Sequence, residues 1–378
     1  MKKSKRNVAL GVAFVGFVTQ FGGGFASGTQ IYQYFINYGI WALLMPLFAQ
    51  FVLSLFYWYG MRYAYRHHTY NYRSFSDSFY GKFKGLFSNL YEIEYVVMVC
   101  MAPAVAFATG GATLNALTGL PYILCTVIIG VFIFIVTVFG TDIVRKCSSV
   151  LSVIIIIGLV LILVPNIIVQ WDTIMTSVGN LSQGIMPVGS KASGSFGSAF
   201  WRACIYGIFQ LTAVGLMYQH TRGMASEKDV AKSMIYMFIV DAAIMELAIV
   251  GLLAVAYLPE LAEVSVPMLL LVQKGAGAKF FTPLISVLVI LGAVSTGVNM
   301  IAGIVERTVN QIRKNNKSKL SQLFVTLLFT IITFAIAQFG LIPLVQKGYS
   351  YIGYATLFVI VIPFVLHFVM HIGKKEEV

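Results

Sequence analysis

Charge is scarce in this sequence. Only 11% of its 378 residues are Asp, Glu, Lys or Arg, while 58% are apolar and the mean hydropathy is +0.84. So little polar surface cannot cover a soluble globule, which makes lipid part of the expected solvent. Cysteine is also rare. Cys100, Cys125, Cys147 and Cys204 lie in or beside apolar runs, with no pair at a metal-ligand spacing, and read as free thiols. A Walker-type phosphate loop and an appended soluble domain are both missing, which argues against an ATP-driven pump. No His, Asp or Ser constellation converges at one depth, so no enzymatic activity is expected. A repeated pore loop or charged ring, the marks of a channel, is missing as well.

The charge that is present is mostly basic, 26 Lys and Arg against 14 Asp and Glu, for a net +12. Nearly all of it sits in short segments between apolar runs, a placement that suits membrane orientation rather than nucleic-acid binding. The start, Met1-Lys2-Lys3-Ser4-Lys5-Arg6, resembles a signal-peptide n-region. The apolar stretch behind it is too long and lacks a small-residue cleavage site, so it reads as the first membrane span.

Runs of the length needed to cross about 30 Å of hydrocarbon fall at 8 to 36, 40 to 62, 86 to 112, 120 to 140 and 148 to 170, then at 197 to 219, 231 to 257, 281 to 306, 320 to 339 and 349 to 371. The expectation is one all-α integral membrane domain over 1 to 378. With the N-terminus in the cytoplasm, only Lys191, Arg202, Lys274, Lys279 and Lys347 of the 26 basic residues fall outside. That bias supports both ten spans and a multi-pass cell-membrane protein with both termini cytoplasmic. The long outer connections, 171 to 196 and 258 to 280, are candidates for short lid helices. Tyr65 to Lys84 reads as a headgroup-layer segment or an ordinary interfacial loop.

Ten spans divide into two halves of five, about 8 to 170 and 197 to 371. An odd number per half requires a duplicated second half to be inverted in the membrane. No residue-level similarity between the halves accompanies this, so the repeat rests on topology.

The most pointed local signal is Gln20-Phe21-Gly22-Gly23-Gly24-Phe25-Ala26-Ser27-Gly28-Thr29-Gln30, in the middle of the first span. Each glycine disfavours helix by about 1 kcal/mol relative to alanine, so roughly 3 kcal/mol opposes a continuous helix here. Unwound backbone is tolerated at membrane depth only where it is buried in protein or lines a site. Close helix packing through Gly22 and Ala26, or Gly24 and Gly28, is the alternative, and both can hold.

Gly-Gly-Gly-Phe-Ala-Ser-Gly at 22 to 28 resembles the first-helix signature of the YkvI-like bacterial membrane proteins, a branch of the amino acid/polyamine/organocation transporter superfamily with the LeuT fold. The family pattern continues Gln-Glu where this chain has Thr29-Gln30, so a carboxylate is missing at that place. The resemblance implies a LeuT-like 5+5 inverted repeat with helices one and six broken at mid-membrane around the substrate. It places substrate contacts at Gly22, Gly23, Gly24, Phe25, Ala26, Ser27, Gly28 and Gln30. On span six it implies a break at Gly207, with Tyr206, Phe209 and Gln210 beside it.

Span eight carries Gly292, Ser295, Asn299, Gly303 and Glu306 on one face. By the same resemblance, Ser295 and Thr296 match a hydroxyl pair that joins first-helix carbonyls, here near Gln20 and Gly23, around sodium. Hard cations take oxygen ligands, although such hydroxyls also bond their own helix. Sodium as a coupling ion is the one cofactor-like species expected.

Asp241 and Glu246 lie near the middle of span seven, where carboxylates are functional candidates by default. They offer proton coupling as the rival to sodium, and Asn299 is a third coupling candidate. Glu92 and Glu94 read as acids at the helix start. Arg202 reads either as a partner of Glu260 or Glu263 in an outer gate or as a snorkelling side chain. His367 and His371 lack a third ligand and read as interfacial. The sequence therefore points to a secondary transporter of an amino acid or similar small solute. A non-transporting sensor or accessory subunit with the same fold is the other class. The expected partners are a small-molecule substrate and the lipid bilayer, with no nucleic acid, and no feature specifies an oligomeric state.

Overall fold

The computed structural model describes residues 5–139, 141–312 and 319–371, without the side chains of 5–7, 141–149 and 310–312. The basic N-terminus, the C-terminal lysines and the side chains of Arg145, Lys146 and Cys147 lie outside the described residues. All regular structure among the described residues is helical.

Among the described residues eight helices are long and apolar enough to cross a membrane, and Met45–Arg66 makes a ninth when it is taken together with Ile36–Leu43, from which it is bent by 79°. The first span falls short of that length because it is broken into Lys5–Gln20, Gly23–Ala26 and Thr29–Tyr34. Counting it, the spans are one, 5–34; two, Met45–Arg66; three, Lys84–Thr118; four, Tyr122–Phe139; and five, Thr141–Val169. The rest are six, 196–223; seven, 227–255; eight, Ala278–Ile312; nine, Lys319–Ala337; and ten, 341–371. The protein is a multi-pass membrane protein. We call the side where span one begins the near face and the opposite side the far face.

Packing sorts the spans into two groups. Spans one, two, six and seven contact one another, as do three, four, eight and nine, while five and ten lie between the groups. A shift of five spans carries one set of contacts onto another. Span one packs on seven as six packs on two, three on four as eight on nine, and one on five as six on ten. Spans three and eight make the most extensive contact of any two helices.

The expected lid helices form on the far face at Trp171–Ser182 and Pro267–Lys274. The segment read as an interfacial loop differs from expectation. Its helix Tyr72–Phe79 opens with a capping box at Asn71 and Ser74, and it turns Phe75 and Phe79 into the protein. Phe75 stacks on Tyr218 at 4.1 Å and Phe79 on His367 at 4.3 Å. Burying two aromatic side chains outweighs what the headgroup layer would offer them.

Gly28 ends the broken segment in the left-handed region, at φ 82°. A Cβ there would also lie 3.1 Å from the Met268 backbone nitrogen, whose N–H donates to the Ser27 carbonyl. Gly119 is equally left-handed, at φ 71°, but faces open space. Left-handed geometry costs a non-glycine residue roughly 1–2 kcal/mol. Gly119→Ala is therefore expected to lower stability by about that strain alone, and Gly28→Ala by about 1 kcal/mol more through crowding. Thermal unfolding in detergent checks the order, and equal losses would contradict it.

Candidate functional site

Span one stops being helical at Phe21 and Gly22 and resumes at Gly23. The three glycines serve close approach as well as the break. A Cβ on Gly22 would come 2.6 Å from Thr296 Oγ1, one on Gly23 3.0 Å from the Ala293 Cβ of span eight, and one on Gly24 3.2 Å from Val105 of span three. Successive residues of a turning chain point in different directions. Three adjacent glycines are needed because span one is clasped from several sides at this depth. An aromatic ladder bridges the break, with Phe17 stacked on Phe21 at 4.6 Å and Phe21 edge-on to Phe25 at 4.0 Å.

The freed backbone groups find partners. The Gln20 carbonyl, left over at the helix end, accepts from Gln210 Nε2 at 3.2 Å. Ser27 Oγ donates to the Gly24 carbonyl at 2.9 Å, and Thr29 Oγ1 to the Ser265 carbonyl at 2.7 Å.

Beside the break is an enclosed cavity of about 20 Å³. Gln20, Gly22, Gly23, Gly24, Gln30, Phe209, Gln210 and Thr296 line it, together with Met98, Ala102 and Val105 of span three, Met300 of span eight and Tyr349 of span ten. One water needs roughly 10–15 Å³, so no amino acid fits in this conformation. On the far face a vestibule of about 410 Å³ opens between Thr29, Gln33, Asn37, Pro267 and Gln346. Near its floor Arg202 lies over the Tyr34 ring at 4.0 Å and donates to Ser350 Oγ at 2.7 Å and to the Gln346 carbonyl at 3.0 Å.

Several expectations change here. Gly207 does not break span six, because Phe196–Leu211 runs through it as continuous α-helix. One glycine is too weak a helix breaker, and a Cβ at this one would meet span two in ordinary contact, 3.5 Å from the Ala49 carbonyl. Span six instead loosens at the 3-10 segment Thr212–Leu216. Tyr206 stands apart from the cavity in an aromatic cluster with Tyr34, Phe35 and Phe209. Phe25, Ala26, Ser27 and Gly28 are buried but do not line the cavity.

Of the hydroxyl pair, Thr296 faces the break and donates to the Gly292 carbonyl at 2.9 Å. Ser295 is outside the lining, with its buried Oγ unpartnered, and half-buried Asn299 is outside it too. Asp241 is fully buried with no partner for either oxygen, and one oxygen of Glu246 is likewise alone. The Arg202 pairing with Glu260 is not made. Glu260 takes Lys274 Nζ at 2.6 Å, which holds its carboxyl below the usual range.

Glu92 and Glu94 are not first-turn acids, since the helix begins at Lys84. Glu92 pairs with Arg307 and accepts from Tyr72 Oη at 2.6 Å. Arg307 also lies over the Tyr72 ring at 4.4 Å, and Tyr72 stacks on Tyr95 at 4.7 Å, closing the near face. Glu94 is buried and bonded to Thr212 and Thr356. His367 Nδ1 meets the Tyr59 hydroxyl at 2.7 Å.

This architecture is found in solved transporters. The structure is similar to that of MhsT in complex with L-phenylalanine, with a TM-score of 0.63 and 12% identity over 97% of this chain and 89% of that one. It also resembles the manganese transporter of Eremococcus coleocola, solved with an aromatic bis-isothiourea substituted compound, with a TM-score of 0.50 and 13% identity over 98% of this chain and 88% of that one. The sequence matches no protein-family model and no curated relative. At these identities the likeness establishes the fold, an all-helical LeuT-like membrane fold.

The contact between Gly22 and Thr296 gives a direct test of the packing. Gly22→Ala should destabilise the protein by about 1–3 kcal/mol through overpacking. Thr296→Ala in the same chain should recover most of that loss. A double variant no more stable in thermal unfolding than Gly22→Ala would show that the crowding lies elsewhere.

Proposed function

We propose that the protein is a secondary active transporter of a small organic solute, an amino acid or a related compound, working by alternating access. The carrying observation is the cavity at the break of span one, too small for substrate and covered on both faces. A binding site that must expand to be filled suits a carrier whose two groups of spans rock about it. Gln30, Gln210 and the helix ends at the break would orient the polar groups of the solute, and Phe209 and Tyr349 would flank its side chain. MhsT was solved with L-phenylalanine, which favours apolar or aromatic amino acids in a first screen. The glycine signature supports placing the chain among the YkvI-like proteins. The basic-residue bias supports a cell-membrane location with the near face cytoplasmic.

For coupling, we favour sodium held by Thr296 and Ser295 with the carbonyls of Gln20 and Gly23. In the present conformation Gln210 occupies the Gln20 carbonyl and Ser27 N–H the Gly23 carbonyl. Sodium binding would accordingly displace hydrogen bonds and reshape the cavity. The unpartnered oxygens of Asp241 favour proton coupling as the second reading, with Glu246 as the other candidate.

Uptake of radiolabelled amino acids into proteoliposomes, with and without a sodium gradient, tests both readings. Accumulation should depend on a gradient, Gly23→Leu should abolish it, and Gln210→Ala should weaken it at least tenfold. Thr296→Ala should remove the sodium dependence, whereas Asp241→Asn should matter only for a proton-driven carrier. Binding without accumulation in any gradient would instead identify a sensor or accessory subunit.

A further inference from the structure

Glu94, on the regular helix of span three, joins irregular segments of spans six and ten. It lies one helical turn nearer the near face than Met98, which lines the cavity. Its Oε1 meets Thr212 Oγ1 at 3.0 Å and also bonds Thr356 Oγ1. Thr212 opens the 3-10 segment of span six, and Thr356 directly precedes the π-helical turn Leu357–Val361 of span ten. Departures from α geometry of this kind mark hinges. The carboxyl therefore clips both irregular segments to span three.

Counting protons suggests the state of the cluster. Thr212 Oγ1 and Thr356 Oγ1 lie 2.8 Å apart, and Thr356 Oγ1 lies 2.8 Å from the Ile352 carbonyl. With the two bonds to Glu94 this makes four close oxygen pairs, and the two hydroxyls supply only two protons. An ionised carboxylate would leave two pairs of bare oxygens facing each other. A proton on Oε1 fills a third contact, with Glu94 donating to Thr356 and Thr356 to Ile352. Glu94 Oε2 is buried without a partner, which suits the carbonyl of a neutral acid better than half of an anion.

No basic side chain among the described residues forms an ion pair with Glu94. The titratable groups that face it are the Tyr80 hydroxyl, from the turn after Tyr72–Phe79, and the Tyr91 hydroxyl on its own helix. Spans six and ten contribute the two threonines. Three oxygens already bonded to one another are too few to surround a hard cation, which takes about six or more, so the species exchanged is a proton.

We propose that Glu94 is a proton-binding site that latches the near face, loaded in this closed conformation and emptied when the near face opens. The idea rests on the transporter reading, since it assumes that spans six and ten separate from span three during a cycle. Opening admits water, the carboxyl ionises, and its proton leaves to the near-face solution. The ionised form cannot restore the closed cluster, so reclosing needs a proton.

Distances between spin labels at exposed Lys84 and Gln219, in full-length protein in lipid nanodiscs with the four cysteines replaced by serine, test this. In the parent the distance should lengthen as pH rises. Glu94→Gln, which mimics the neutral acid, should hold the short distance at every pH. Glu94→Asp should retain the response with a shifted midpoint. A parent that ignores pH, or Glu94→Gln responding like the parent, overturns the proposal. So does Glu94→Asp locked like Glu94→Gln, which would make the latch steric. Failure of uptake in every gradient would overturn the transporter reading while the distance response could still be read.

Discussion

Backbone that leaves the α-helix inside a membrane must be buried against protein, and the arrangement of this molecule follows from that requirement. Span one unwinds at Phe21 and Gly22, and span six loosens at Thr212–Leu216. Both segments lie where the group of spans one, two, six and seven meets the group of three, four, eight and nine. Gly23–Ala26 packs on spans three and eight, and Thr212–Leu216 on span three. The central cavity therefore lies at the seam between the groups. Glycine at three successive positions is the sequence consequence, since a methyl group at any of them would crowd span three or span eight.

The charges are distributed to leave that seam free. Arg62 and Arg66 converge on Glu227 at 2.9 and 2.5 Å and tie span two to span seven. Arg307 and Glu92 tie span eight to span three. Each pair lies within one group. Among the described residues no ion pair crosses between the groups. A charge pair across the seam would resist separation, because a desolvated ion left alone is costly. Neutral hydrogen bonds and close-packed small residues hold less tightly and re-form in another arrangement.

The ten spans, the break and the far-face helices were legible because each depends on a long or dense signal: apolar length, consecutive glycines, a polar connection between apolar runs. The second irregular segment was not. Thr212-Ala213-Val214-Gly215-Leu216 has ordinary composition for a membrane helix, and its 3-10 geometry comes from packing on span three. Gly207 drew the expectation because glycine disfavours helix, yet the helix runs straight through it. Glu94 was misread for a related reason. Whether an acid caps a helix or is buried in its third turn depends on where the helix begins, and helix boundaries are the weakest part of any reading of sequence. Its two threonines come from spans six and ten, and no spacing along the chain reveals that meeting.

The two volumes on the far side of the seam describe a conformation. A vestibule of about 410 Å³ is in the size range of small-molecule pockets, while the cavity beneath it holds about 20 Å³. Between them stand Arg202 over Tyr34 and the stack of Phe209 on Tyr349 at 4.6 Å. Only side chains separate the two volumes on this side, and the buried rings turn only if their packed neighbours give way. The near face is different. Tyr72, Tyr95, Arg307 and Glu92 interlock there, Tyr218 lies under Phe75, and Glu94 holds spans six and ten, so opening must displace backbone. The barrier between cavity and solvent is therefore made of side chains on the far side and of interlocked helices on the near side.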